Sequence, residues 1–109
     1  MTKNSIATFG EFIRQLREEA NLPLRKVAAV LDIDQSQLAK IERGERQPSK
    51  IIVKKIANYF KQDEHKLAII YLSDMIAYQI IDEEYGLEAL KIAEQKISYI
   101  KTKKTINSL

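Results

Sequence analysis

Residues 27–49 read VAAVLDIDQSQLAKIERGERQPS, and this stretch decides the fold. Val27, Ala28 and Leu31 recur at helical spacing, Asp32-Ile33-Asp34 interrupts them, and Leu38 and Ile41 begin a second apolar pattern. Asp34 and Gln37 have the spacing of a capping pair at the start of that second helix. The helix, 35–43, stops at Gly44, which has no Cβ to penalise a positive φ. Two short helices joined by a tight turn are therefore expected.

The second of these helices has an unusual outer side. Gln35, Ser36, Ala39, Lys40 and Arg43 fall at i, i+1, i+4, i+5 and i+8, which is one face. That face is small, uncharged or basic, and it carries no carboxylate. It can enter a major groove without steric or electrostatic conflict. Glutamine can donate and accept at once on adenine, serine suits several base edges, and lysine reaches guanine O6 or N7. Gln35, Ser36, Ala39 and Lys40 are the expected base-reading residues, with Gln37, Arg43 and Arg46 placed to flank them at phosphates. An ordinary solvated face as polar as this one would usually carry acids as well.

Outward from this core, helical periodicity continues and no segment reads as a strand. Thr8 and Glu11 form a capping box for a helix to about Ala20 with Phe9, Phe12, Ile13, Leu16 and Ala20 on one inward face. Pro23 is expected in the first turn of the next helix, where its missing N–H costs nothing. Ser49 caps a fourth helix with the stripe Ile52, Val53, Ile56, Ala57 and Phe60. Residues 64–82 then make a helix that is apolar on two sides. Leu67, Ile70, Tyr71, Met75, Tyr78 and Ile81 lie on one, and Ile69, Leu72, Ile76 and Ile80 on the other. A helix apolar nearly all round is buried on both sides. A last helix repeats Leu87, Leu90, Ala93, Ile97 and Ile100, and the polar end, 101–109, reads as frayed.

Arg14-Gln15-Leu16-Arg17, Leu22, Val27-Ala28, Leu31, Ile33, Gln35-Ser36, Ile41-Glu42-Arg43-Gly44 and Pro48 together resemble the Cro/C1-type (XRE) helix-turn-helix proteins. The resemblance covers about residues 9–60. It implies an all-α protein: a lambda-repressor-like four-helix bundle with 35–43 as recognition helix, which the periodicity beyond residue 63 extends by two C-terminal helices expected to serve dimerisation. It also implies that Gln35, Ser36 and Lys40 read bases and that Gln37 and Arg43 contact phosphate. Arg17 and Glu42 would form a structural ion pair between the first and third helices. Two positions depart from the family pattern. Pro23 and Leu24 stand where a polar cap and a glutamine are common, so the usual brace is missing and Arg25 is the substitute phosphate contact. Glu45 sits in a loop that is usually basic.

The charge distribution fits this division. Residues 1–62 hold 7 Lys and 5 Arg against 7 acids, whereas 63–109 hold 6 Lys and no Arg against 8 acids. Arginine suits phosphate and base edges because its planar fork donates two parallel hydrogen bonds. The expected domains are 6–62, which binds DNA, and 63–109, a helical extension. A single recognition helix reads about four or five base pairs, so such proteins pair across half-sites about 34 Å apart. The apolar surplus of 64–100 supplies the surface, with Leu72, Ile76, Ile80, Leu90 and Ile97 as expected dimerisation residues. Double-stranded DNA and a second copy of the chain are the expected partners. The alternative is an antitoxin or other interaction protein whose C-terminal helices clasp a protein partner.

Other classes find no support. There is no cysteine, so disulfides and thiolate metal sites are excluded, and no cofactor or metal is expected. His65 lacks metal-binding neighbours and reads as a solvated residue. Glu18-Glu19 and Glu83-Glu84 are sequential helix neighbours that point apart, so no catalytic pair is expected. Tyr71, Tyr78, Tyr85 and Tyr99 can stack on bases, but their spacing among aliphatics favours packing. Lys101, Lys103 and Lys104 read as a solvated tail rather than a DNA-touching arm. No apolar run approaches a membrane span, the longest being Leu67 to Leu72, and 1–6 has no leader-like stretch. The expected location is the cytoplasm, and no enzymatic activity is expected.

Overall fold

The computed structural model describes residues 7–107. Among the described residues the regular structure is entirely helical: α1 Phe9–Glu19, α2 Leu24–Leu31, α3 Gln35–Glu42, α4 Lys50–Tyr59, α5 Glu64–Ile80 and α6 Gly86–Asn107. This is the all-α architecture expected for a lambda-repressor-like bundle followed by two further helices.

Local chemistry sets the boundaries. At the start of α1, Thr8 Oγ1 accepts from the Glu11 N–H at 3.2 Å, and the Glu11 carboxylate accepts from the Thr8 N–H at 2.9 Å. Two of the orphan donors of that helix end are thereby satisfied. Pro23 is the N-cap of α2 rather than a first-turn residue. Its ψ of 160° is extended, and its carbonyl accepts from the Lys26 N–H at 3.1 Å. The turn between α2 and α3 passes through Asp32 at φ 57°, a left-handed conformation that aspartate tolerates better than most residues. Gln37 Oε1 accepts from the Asp34 N–H at 3.2 Å, which opens α3 as the spacing predicts. Gly44, at φ 77°, turns the chain beyond α3. Ser49 Oγ accepts from the Ile52 N–H at the start of α4.

The described residues form two compact units that divide after Ile76. In the first, Phe9, Phe12 and Ile13 of α1 meet Val27, Ala28 and Leu31 of α2, Leu38 and Ile41 of α3, and Ile52, Val53 and Ile56 of α4. Leu67, Ile70 and Tyr71 of α5 complete this core. The Tyr71 ring meets Phe9 edge-on with centroids 6.3 Å apart, and the Lys66 ammonium lies 5.5 Å over the Phe12 ring. The compact unit therefore reaches past residue 62, because the first half of α5 is part of the same hydrophobic core.

The expected inward face of α5 holds only in that first half. Met75, Tyr78 and Ile81 are exposed, and the helix itself ends at Ile80. Within residues 77–107, Gly86 alone is buried. A Cβ on Gly86 would lie 2.7 Å from the Ile80 carbonyl oxygen, so the turn into α6 requires glycine. The polar end expected to fray is instead helical to Asn107. There the Thr102 and Thr105 hydroxyls donate to the carbonyls of Ser98 and Lys101 at 3.0 Å. No described helix is long and apolar enough to cross a membrane.

Candidate nucleic-acid interface

Helix α3 is short, and its two sides differ completely. Leu38, Ile41 and Glu42 are buried against the bundle. On the outer side Gln35, Ser36, Lys40 and Arg43 are exposed, with Ala39 half-buried between them. The outer face presents an amide, a hydroxyl, a methyl and cationic groups, with no acid within the helix on that side. Arg25 is exposed on α2 and Arg46 in the loop after α3. Gln37 is half-buried; its carbonyl oxygen is used in capping, which leaves its amide N–H groups to face outward contacts.

The orientation of α3 is fixed from behind by Arg17 and Glu42. Arg17 Nε donates to Glu42 Oε2 at 2.8 Å and Nη2 donates to Oε1 at 3.0 Å. The third nitrogen, Nη1, donates to the Leu22 carbonyl at 2.9 Å. One guanidinium thus ties α1, the α1–α2 turn and the end of α3 together. The side chains are 13% and 5% exposed, so the pair is nearly dry. The hydrogen bond from Arg17 to the Glu42 carboxylate raises the guanidinium's already high pKa further. The guanidinium therefore stays charged.

Two residues that sequence reasoning did not single out, Gly10 and Asp74, shape this unit, and Glu45, noted in the sequence as an acid in a usually basic loop, bears directly on the site. Gly10 lets α1 approach the last turn of α3: a Cβ there would collide with the Ile41 backbone oxygen and lie 3.0 Å from that of Glu42. Its signal in the sequence was a glycine inside an otherwise regular helical pattern. Asp74 is a buried acid in the apolar half of α5, and it accepts from the Phe9 N–H at 2.7 Å. An acid among core-spaced aliphatics was the available clue. Glu45 pairs with Arg43 through Nε to Oε2 at 2.7 Å and Nη2 to Oε1 at 3.2 Å. That hydrogen-bonded pair raises the Arg43 pKa and holds the Glu45 carboxyl below its ordinary value. One edge of the Arg43 fork is therefore already occupied by a carboxylate.

His65 is exposed at the start of α5, with its backbone N–H donated to Asp63. Among the described residues no cluster of three or more His, Cys, Asp or Glu side chains could hold a metal ion. Of the tyrosines, Tyr71 packs in the core, whereas Tyr78, Tyr85 and Tyr99 are exposed.

A family model described as helix-turn-helix matches residues 13–67, just over half of the chain, running from α1 into the first turn of α5. Neither the comparison with curated proteins nor that with solved structures returned a match.

Proposed function

This chain belongs to the Cro/C1-type helix-turn-helix family of DNA-binding transcriptional regulators, and from that premise we propose that it acts as a homodimer on an inverted-repeat operator. The family is a DNA-binding regulatory domain and not an enzyme family. In this reading residues 6–62 carry the DNA contacts and 63–109 join two copies. Gln35, Ser36, Ala39 and Lys40 meet base edges in the major groove, and Arg25, Gln37, Arg43 and Arg46 hold the flanking phosphates. The bound dimer acts by occupancy, as a repressor or autoregulator.

The observation that carries the reading is the two-sidedness of α3. Its inner face is buried and pinned by Arg17, while its outer face is exposed and free of acid. Phosphate contacts position such a helix, and side chains at base edges supply specificity. The exposed Leu72, Ile76, Leu90 and Ile97, with the half-buried Ile80, support pairing through the C-terminal region. The same exposed residues favour one second reading, in which the C-terminal helices clasp a different protein.

Selection of bound sites from a random duplex library, wild type beside Gln35→Ala, tests the first reading. Enrichment of an inverted repeat, relaxed at one base pair in each half by the substitution, is expected. Failure to enrich any sequence would move the function to the partner-binding reading.

A further inference from the structure

Helix α6 spans 22 residues, about 33 Å at 1.5 Å per residue, and only Gly86 at its first position is buried. A helix takes most of its stability from the packing of an apolar face, so α6 needs a covering surface. Its apolar seam runs through Gly86, Leu90, Ala93, Ile97 and Ile100, with alternating steps of four and three. That is the spacing with which one helix packs along another. Leu90, Ile97 and Ile100 on this seam are 39%, 53% and 47% exposed.

The charge along the segment is polarised. Residues 82–94 hold Asp82, Glu83, Glu84, Glu88 and Glu94 against Lys91, a net charge of −4. Residues 95–107 hold Lys96, Lys101, Lys103 and Lys104 with no acid, a net charge of +4. A second copy laid parallel would set acid on acid and base on base, and like charges placed together across an interface are costly. Laid antiparallel, the acidic half of each copy meets the basic half of the other, twice over, as a two-fold interface requires.

We propose that α6 pairs antiparallel with α6 of a second copy of this chain, with segment 82–94 of each lying along segment 95–107 of the other. The proposal rests on the homodimer reading above and specifies its geometry. The seam fixes the register: Leu90 packs on Ile100 of the partner subunit and Ala93 on Ile97 of the partner subunit.

The chain has no cysteine among its 109 residues, so engineered thiols report the register without interference. Sedimentation of the wild type comes first, and a dimer is expected. Leu90→Cys and Ile100→Cys chains are then oxidised separately and as a mixture. The expected result is a 90-to-100 cross-link in the mixture and little in either chain alone. Self-cross-linking of each chain, or no cross-link in a chain that remains dimeric, would overturn the antiparallel geometry while leaving the homodimer reading intact. A monomeric wild type would overturn both. A second pair avoids the seam altogether. Lys101→Glu/Lys103→Glu is expected to weaken self-association about tenfold or more, and mixing it with Glu94→Lys, which lies on the same flank of the seam as residue 101, is expected to restore dimers. Unchanged self-association of both charge variants overturns the geometry independently.

Discussion

The buried carboxylate of Asp74, on α5, accepts a hydrogen bond of 2.7 Å from the backbone N–H of Phe9, the first residue of α1. Sixty-five positions separate the two residues in the chain. The Thr8 hydroxyl already serves the Glu11 N–H, so Asp74 satisfies a neighbouring donor that the capping box leaves open. The bond also joins α5 to the bundle at a point where Tyr71 and Phe9 pack together.

Burial pushes the Asp74 carboxyl above its ordinary pKa, with the nearby Glu11 charge adding to the rise and the Phe9 N–H opposing it. A group whose folded pKa is raised contributes stability that is present below its unfolded value, about 3.9, and lost as pH rises through the folded value. Asp74→Asn keeps an acceptor for Phe9 and removes the buried charge. It is expected to raise stability at neutral pH and to flatten the pH dependence above pH ~4. Asp74→Leu leaves the Phe9 donor unpaired and is expected to cost about 1–3 kcal/mol. Urea titrations at several pH values check both, and a destabilised Asn variant at pH 7 would contradict the argument.

Arg17 and Glu42 make a second prediction of opposite character. Each is charged, nearly dry and bonded twice to the other. Removing one partner strands the remaining charge, so Glu42→Ala is expected to cost about 3–5 kcal/mol. Replacing both, as Arg17→Met with Glu42→Leu, is expected to recover most of that loss, because the desolvation cost disappears with the charges. A double-mutant cycle by chemical denaturation measures the coupling. Equal losses in the single and double variants would place the stabilisation elsewhere, for example in the Arg17 bond to the Leu22 carbonyl.

Gly10 provides a test of sign. Alanine in an exposed helix interior is better than glycine by roughly 0.5–1 kcal/mol. At this position the added methyl meets the backbone oxygens of Ile41 and Glu42, which cannot rotate away as a side chain would. Gly10→Ala is therefore expected to destabilise by about 1–3 kcal/mol, as overpacking does. A rise in melting temperature would show that α1 and α3 can separate without penalty.

These residues show where the fold was legible in the sequence and where it was not. The Thr8–Glu11 box, the Asp34–Gln37 pair, Gly44 and Ser49 are local signals, and each marks a helix boundary within a residue or so. The outer face of α3 was legible for the same reason, since helical spacing alone sorts Gln35, Ser36 and Lys40 from Leu38 and Ile41. Alpha5 was harder. Its apolar pattern is uniform from Leu67 to Ile81, yet only Leu67, Ile70 and Tyr71 enter the core. How far a helix stays packed depends on the length of the surface beneath it, which periodicity does not encode. The roles of Gly10 and Asp74 likewise depend on backbone atoms brought together from distant parts of the chain.

The pair between Arg43 and Glu45 leads to a prediction about binding rather than stability. Both side chains are about half exposed, and Glu45 occupies the Nε edge of the Arg43 fork. A phosphate approaching Arg43 must compete with that carboxylate and meet its charge. Glu45→Gln is expected to tighten binding to all duplex sequences alike, because a phosphate contact carries no base information. If the released arginine takes up one further phosphate, the salt dependence of the binding constant steepens by about 0.9 in the log–log slope. The effect should be constant from about pH 8 down to about pH 5. Arg43 holds the Glu45 carboxyl below its ordinary value of about 4.3, so the carboxylate stays ionised throughout that range. Fluorescence anisotropy across a salt series, with Arg43→Ala/Glu45→Gln as control, separates the contributions. In that control the gain in slope should vanish. If instead Glu45→Gln weakened binding and relaxed the preference at one base pair, Glu45 would be orienting Arg43 onto a base edge, and Arg43 would move from the phosphate-contacting set to the base-reading one.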